Sequence, residues 1–592
     1  GVQTCALPIS NKENEGEKTM KRLSRVAAAS LILCLMLLSA FSTVKIVKEE
    51  AKVVYADSFS ESAIKKNPDL ILDSEITVEL KEKFSDSEEY WDIQKEKQRL
   101  YAREAMGEVV DFSEMEELMQ QQRDACKEFY QKQKEAFFEE LDWNRNLFGG
   151  SEYSGFLRVS AEKIRQESNI EASLKQMAEM GSVDKVCVGA VHNYESDGWF
   201  GSWEGETLPT IHDTNWQYGP KGNGIKVGIY EAENGIVDKT FLESKYPNLT
   251  VNTYGSTAQV TDHATRVGAI IAALAPQCTI YSTCTTGNSF ERNPNIDWLI
   301  GNGVSIINCS FGFDAHITNS YCAREEGFDT MAVDLGILFI FSAGNDGTTV
   351  NCPKEAANII TVGATNNDGV TKANYSNYGA QGDLVKPLLV ANGAPHIPYM
   401  NDPFHTHWGT SFAAPMVTGA LVKSAQNWPM GLASSYLLGY TAVANATVRD
   451  DLVGGTYEAG SNLITNYFGY GMLSVDTLEA NAVPGKGAVL TFDNSTSEWS
   501  GNIYLYAGSP MQISIFWPST DKNTNEPVFS DYDLYLYDGG RLVAYSNSSD
   551  RNLELLAYTA TETKYYQLKI VRVGNIAAGT QDHLAYYCST VN

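Results

Sequence analysis

From residue 225 to about 482 the chain alternates short apolar runs with stretches of helical period. The runs "IKVGIY", "VSIINCS", "GILFIFSAG" and "NIITVGA" carry almost no polar interruption, as strands buried on both faces of a parallel sheet do. Helices between such strands predict an α/β domain over 225–484, its sheet mostly parallel and doubly wound with helices on each side. From residue 485 the period changes to two. "AVLTFDN", "GNIYLYAG", "MQISIFWP", "DYDLYLYDGG", "RLVAYSNSS", "LELLAYTA" and "YYQLKIVRVG" alternate apolar and polar residues between turn signals. These seven strands predict a C-terminal β-sandwich over 485–592.

Upstream, residues 57–150 are charged and rich in Glu, Lys and Gln. "EEYWDIQKEKQRLYAREAM" and "DFSEMEELMQQQRDACKEFYQKQKEAFFEELDW" predict the two helices of a hairpin, and so much charge makes a solvated helical linker the plain reading. Residues 151–195 read strand–helix–strand in "FLRVSAEKI", "NIEASLKQMAEM" and "DKVCVGAVHNY". The Gly- and Trp-rich stretch 196–224 reads as a linker.

At 592 residues the chain is too long for one core. A net charge of −28 argues against nucleic acid as a partner and predicts an acidic, self-repelling surface. Residues 1–9, "GVQTCALPI", resemble a translated sequencing adapter, and 1–19 are set aside as preceding the first methionine, Met20. Lys21, Arg22 and Arg25 then lead into the 16-residue apolar run Val26 to Phe41, short of the roughly 20 residues a membrane span needs. Residues 20–56 therefore read as an export signal, cut after Ser42 or Ala56, with an uncleaved anchor as the alternative. The expected location is outside the cell or at its surface. Cys126, Cys187, Cys278, Cys284, Cys309, Cys322, Cys352 and Cys588 follow no C-x-x-C spacing, which argues against zinc and leaves disulfides open.

The most informative stretch is "HWGTSFAAPMVTGALVKSAQ". Gly409 and Thr410 turn the chain, and Ser411 opens a helix with Met416, Val417, Ala420 and Leu421 on its apolar face. An isolated serine there is usually a cap. "DHATRVGAIIAALAP" places His263 at another helix start, and "ILFIFSAGNDG" delivers Asn345 after a buried strand. Together these resemble the subtilisin-like serine proteases: "GTSFAAP" is similar to their nucleophile motif, and His263, Thr265 and Val267 to their histidine motif, from which Ala264, Gly268 and Ala269 depart. The region 151–195 resembles, loosely, the inhibitory propeptides of secreted proteases.

That resemblance implies a serine endopeptidase acting on extended polypeptides, with its own pro-region as intramolecular inhibitor. It implies Ser411 as nucleophile, His263 as base and Asn345 as oxyanion donor, with Ser310, Phe311 and Gly312 of "INCSFG" along the substrate. Asn351 is a candidate for the pocket floor and Asp346 for its rim. The chain order of such a triad is acid, histidine, serine, and the strand "KVGIY" ends on Glu231 where the family usually has aspartate. The acid must reach one imidazole nitrogen so that the other faces the serine. Asp262, Glu233 and Asp238 are rivals for that role. The chemistry requires no cofactor. Asp531, Asp533 and Asp538 are candidate ligands for a structural calcium, against the plainer reading that alternation puts Asp531 and Asp533 on one strand face. Two other readings stay open: an inactive binding protein on this fold, suggested by the altered acid, and a surface adhesin acting through the β-sandwich.

Overall fold

The computed structural model describes residues 52–55, 74–141, 143–167, 169–190, 198–200, 218–232, 234–285, 294–312, 323–366, 371–379, 384–395, 406–448, 467–519, 529–549, 551–577 and 581–590. Most of the signal segment, most of the linker 196–224, Glu233 and Cys322 lie outside them.

The apolar runs form one nine-stranded sheet, in the order 447–448, 472–473, 389–392, 360–365, 338–342, 306–309, 226–231, 279–284, 250–253. Every pairing in it is parallel except that between Thr447–Val448 and Met472–Leu473. Lys226–Glu231 lies inside this sheet, between Ile306–Cys309 and Thr279–Cys284. Residues 338–342 and 360–365 are buried at every position, which is why their sequences show no alternation. Helices Asp262–Leu274 and Thr410–Ala425 pack on each other and on the sheet. At their crossing a side chain on Gly419 would come within 3.0 Å of Leu274 Cβ and 3.2 Å of Ile271 Cα, so glycine there lets the two helices approach.

The C-terminal region has eight strands among the described residues, in two four-stranded antiparallel sheets. The eighth, Gln581–Thr590, does not alternate because one of its faces meets the sandwich core and the other meets the α/β domain. There Tyr587 OH donates to the Asn481 carbonyl at 2.6 Å, and Asn445 Nδ2 to the Tyr587 carbonyl at 2.9 Å. Asp531, Asp533 and Asp538 do not gather as a three-ligand cluster. Asp538 pairs with Lys564 at 2.9 Å and Asp533 accepts from Tyr535 OH at 2.6 Å. Among the described residues no three His, Cys, Asp or Glu side chains gather as metal ligands. No described helix is long and apolar enough to cross a membrane.

The hairpin is present as helices Glu88–Ala105 and Phe112–Leu141, but it is not a solvated linker. Its Ile93, Leu100, Met115, Met119 and Tyr130 are buried in the same apolar core as the nine-stranded sheet. Charged and amide side chains are buried with them: Lys97 Nζ donates to Gln122 Oε1, and Gln122 Nε2 to the Asp334 carbonyl at 2.5 Å. Beside the hairpin, Phe156–Ser160 and Val183–Ala190 join a four-stranded sheet around helix Ile170–Glu179. The strand in "FLRVSAEKI" stops at Ser160, and Ala161–Glu167 is helical. Two strands come from outside the 151–195 unit. Ser74–Leu80 belongs to the region read as helical, and Lys52–Tyr55 to the segment read as signal. A signal cut after Ser42 keeps that last strand, and a cut after Ala56 would remove it.

Candidate functional site

Glu231 ends its strand buried, 3% exposed. One carboxylate oxygen, Oε2, lies 3.0 Å from His263 Nδ1. The other, Oε1, accepts the Ala232 N–H at 2.9 Å. The extra methylene of glutamate over aspartate lets one carboxylate grip its own turn and the imidazole together. Of the rivals, Asp238 and Asp262 are among the described residues. Asp238 caps helix Lys239–Lys245 by accepting from the Phe241 N–H at 2.9 Å. Asp262 is exposed at the helix start, and Glu233 is outside the described residues.

His263 stands in the first turn of helix Asp262–Leu274, which Thr261 caps by accepting from the Ala264 N–H at 3.2 Å. Its ring is half-buried, tilted against Phe412 with centroids 5.8 Å apart. The residue after Ser411 thus touches the histidine. Two thiols lie close to the acid: Cys284 pairs in register with Glu231, and Cys309 sits on the strand at its other side. Burial, with the nearby Glu231 charge adding to it, pushes the Cys284 thiol up to about 11 and Cys309 well above its ordinary value. Both stay protonated at neutral pH, so neither competes as an anion with the glutamate or as a nucleophile with the serine.

Ser411 is buried, in the first turn of its helix. Its Oγ donates to the Ser310 carbonyl at 3.3 Å, long for a hydroxyl hydrogen bond and easily exchanged for another acceptor. Pro415, four residues on, has no N–H, so the Ser411 carbonyl lacks its helical donor. Ser310 Oγ supplies one instead, at 2.8 Å, and in turn accepts from Asn308 Nδ2 at 2.8 Å. Thr418 Oγ1 holds the other end of the Asn308 amide, donating to Oδ1 at 3.0 Å.

Asn345 follows the buried strand Leu338–Ser342. Its Oδ1 accepts from Thr410 twice, from N–H at 2.8 Å and from Oγ1 at 2.9 Å. Those two donors fix which end of the amide is oxygen and leave Nδ2 on the side of Gly409. A Cβ at 409 would sit 3.2 Å from that nitrogen, so glycine keeps the space before the amide open. Thr410 Oγ1 also accepts the Gly344 N–H at 3.0 Å. Asn308 and Thr410 were not among the residues the sequence singled out. The signal for Thr410 was its place inside "GTS", while Asn308 had none beyond lying two residues before Ser310.

Of the residues expected along the substrate, Ser310 is tied to the Ser411 carbonyl. Phe311 turns its ring into the core, edge-on to Tyr230 and Phe341 at 5.6 and 5.7 Å, so only its backbone is left to offer. Gly312 is buried. Asn351 is buried in a turn where its carbonyl accepts the Lys354 N–H at 2.8 Å, beside Cys352, which is disulfide-bonded. Asp346 is exposed, its N–H donating to Asn377 Oδ1 at 3.1 Å.

Residues 222–471 match the family model of the subtilase family. The chain is 27% identical to Subtilisin Savinase of Lederbergia lenta over 273 residues, 44% of this chain and 91% of that protein. To Subtilisin NAT of Bacillus subtilis subsp. natto it is 25% identical over 356 residues, 55% of this chain and 82% of that one. Against the Alkaline protease of Alkalihalobacillus alcalophilus identity is 27%, over 44% of this chain and 65% of the relative. Among solved structures, fervidolysin from Fervidobacterium pennivorans aligns with a TM-score of 0.41 and 12% identity, covering 76% of each chain.

Proposed function

We propose, from the match of residues 222–471 to the subtilase family model, that these residues form a subtilisin-like serine endopeptidase domain with Glu231, His263 and Ser411 as its catalytic triad. The observation that carries this reading is the 3.0 Å contact of Glu231 Oε2 with His263 Nδ1. A carboxylate there holds the Nδ1–H tautomer and leaves Nε2 as the base. Ser411 Oγ attacks the scissile carbonyl while its proton passes to His263 Nε2. The carbonyl oxygen becomes an oxyanion facing Asn345 Nδ2 and the Ser411 N–H, a donor no helical carbonyl claims in the first turn. Collapse breaks the C–N bond, and His263 returns the proton to the leaving amine. Water then repeats the sequence on the acyl-enzyme and frees Ser411.

The strand–helix–strand unit 151–195 acts in this reading as an inhibitory pro-segment, on a polypeptide made for export. Supporting it, Gly198–Phe200 pairs antiparallel with Thr406–Trp408, and Trp408 is three residues from Ser411. A chain held there before cleavage passes the nucleophile, and maturation is proposed within 195–215. The substrate is an extended polypeptide.

A fluorophosphonate probe tests the assignment. Mass spectrometry should find it on Ser411, and Ser411→Ala should lose both labelling and peptidase activity with its fold intact. Hydrolysis by the purified Ala variant at the wild-type rate would end the triad reading.

A further inference from the structure

Cleavage within 195–215 would cut every residue of the hairpin away from the catalytic chain. Yet the two parts of the N-terminal region relate to the enzyme differently. The four-stranded sheet encloses a core of its own, with Ile76, Val159, Leu174, Met177 and Val186. The hairpin has no separate core. The first part of helix Phe112–Leu141 gives Met115, Met119 and Tyr130 to the core of the catalytic sheet, and only its far end, Phe137 and Leu141, serves the smaller one.

Polar contacts hold both parts, the small sheet through Lys185 and Glu326, and the hairpin through a wider set. Asp334 closes helix Ala323–Leu335 and is 0% exposed. Tyr130 OH donates to its Oδ2 and the Ser85 N–H to its Oδ1 at 3.0 Å. Trp428, which precedes the short helix Pro429–Leu432, donates its indole N–H to Glu104 at 2.8 Å. Gln98 reaches the sandwich, donating to Thr491 Oγ1 and lying 3.1 Å from His583 Nδ1, while the Trp91 ring lies 4.7 Å from that imidazole. Loss of the hairpin would strip donors from a buried carboxylate, which is costly, and would open apolar core to water.

We propose that the hairpin, residues 84–141, is a permanent subunit of the mature enzyme: after cleavage it remains seated on the surface built by Asp334, Trp428, Thr491 and His583, and the working peptidase is a two-chain complex. This rests on the reading that maturation cuts the chain within 195–215. It differs from a pro-region that is released to give activity.

The test is native purification of the processed, active enzyme, followed by size exclusion at nanomolar concentration and intact-mass analysis. Both chains should leave the column in one peak at equimolar ratio, the smaller containing residues 84–141, and should separate only in denaturant. A fully active catalytic chain with no peptide from 84–141 would overturn the proposal. If the secreted chain proves uncut, the maturation reading fails and a second arm decides this one. A recognition site for a sequence-specific protease is placed within 201–217 of the Ser411→Ala chain and cut. Halves that stay together in native buffer support the proposal, and halves that part there refute it.

Discussion

Replacing Glu231 by glutamine exchanges one oxygen for an NH₂ and confronts the site with a choice it cannot satisfy. The carboxylate accepts at both ends, from the Ala232 N–H at 2.9 Å and toward His263 Nδ1 at 3.0 Å. If Gln keeps its oxygen on Ala232, its NH₂ faces Nδ1, which must then accept, and the ring proton moves to Nε2 where the base is needed. If the amide flips, its NH₂ meets the Ala232 N–H, donor against donor, in a position only 3% exposed. The first outcome disables the base and the second costs about 1–3 kcal/mol for an unsatisfied buried group. In a trypsin-like enzyme the acid-to-amide change lowers turnover about 10⁴-fold, equivalent to roughly 5 kcal/mol of barrier. A kcat loss of that order near neutral pH is expected here, with KM little changed because Glu231 does not face substrate. Glu231→Asp keeps the charge and should lose less. The assay is turnover of a peptide amide by both variants, with accumulation of uncut precursor as a second readout. A Gln variant within tenfold of wild type would refute the reasoning and make Glu231 a bystander.

Ser310→Ala removes the donor that stands in for the amide Pro415 lacks, and orphans the Asn308 NH₂ as well. In a Ser411→Ala background, which prevents self-digestion, denaturant unfolding should show a loss of about 1–3 kcal/mol, and a loss under 0.5 kcal/mol would count against the role. Docking of the N-terminal sheet should weaken with rising pH. Burial first, and then the neighbouring Glu326 charge, lift Glu79 from 4.5 to about 8 against the opposing pull of Lys185 and Lys83. Burial pulls Lys185 down, but the charges of Glu79 and Glu326 outweigh it and hold its ammonium well above the lysine range. A raised carboxyl means that the folded state binds the extra proton between pH 4.5 and 8, so stability falls through that window and is lowest above it. Melting of the Ser411→Ala chain from pH 5 to 9 should show this fall, and Glu79→Gln should flatten it; equal slopes would dismiss the Glu79 explanation.

What could be read in the sequence follows how each element is buried. Strands of the large sheet were legible because both faces are dry and their runs unbroken. The candidates Ser411, His263 and Asn345 stood out because each lies at a helix start or just after a strand, in the company of a motif. The hairpin helices were legible, their docking not: Lys97, Gln122 and Arg123 are buried, and buried polar side chains with distant partners look, in sequence, like a solvated face. The strand Gln581–Thr590 escaped because contact on two sides erased its alternation. The Ser310 hydroxyl had a signal after all, in the proline four residues past Ser411, but the partner that answers it lies 101 positions away.

The bond from Gln98 to His583 joins residues 485 positions apart. Ring closures of that span cannot form while the chain is still being made, since at roughly 5–20 residues per second the second partner emerges about half a minute or more after the first. Until then the hairpin has the α/β domain to rest on but not the sandwich. Assembly of this protein is consequently ordered from its far end. The nine-stranded sheet and the sandwich must both exist before the hairpin makes all its contacts, and a chain truncated before residue 583 lacks those of Gln98 and Trp91 with His583. Pairing so remote in sequence is slow to reach, and delayed release of the full-length chain, more than weak packing, is where its folding is exposed to aggregation.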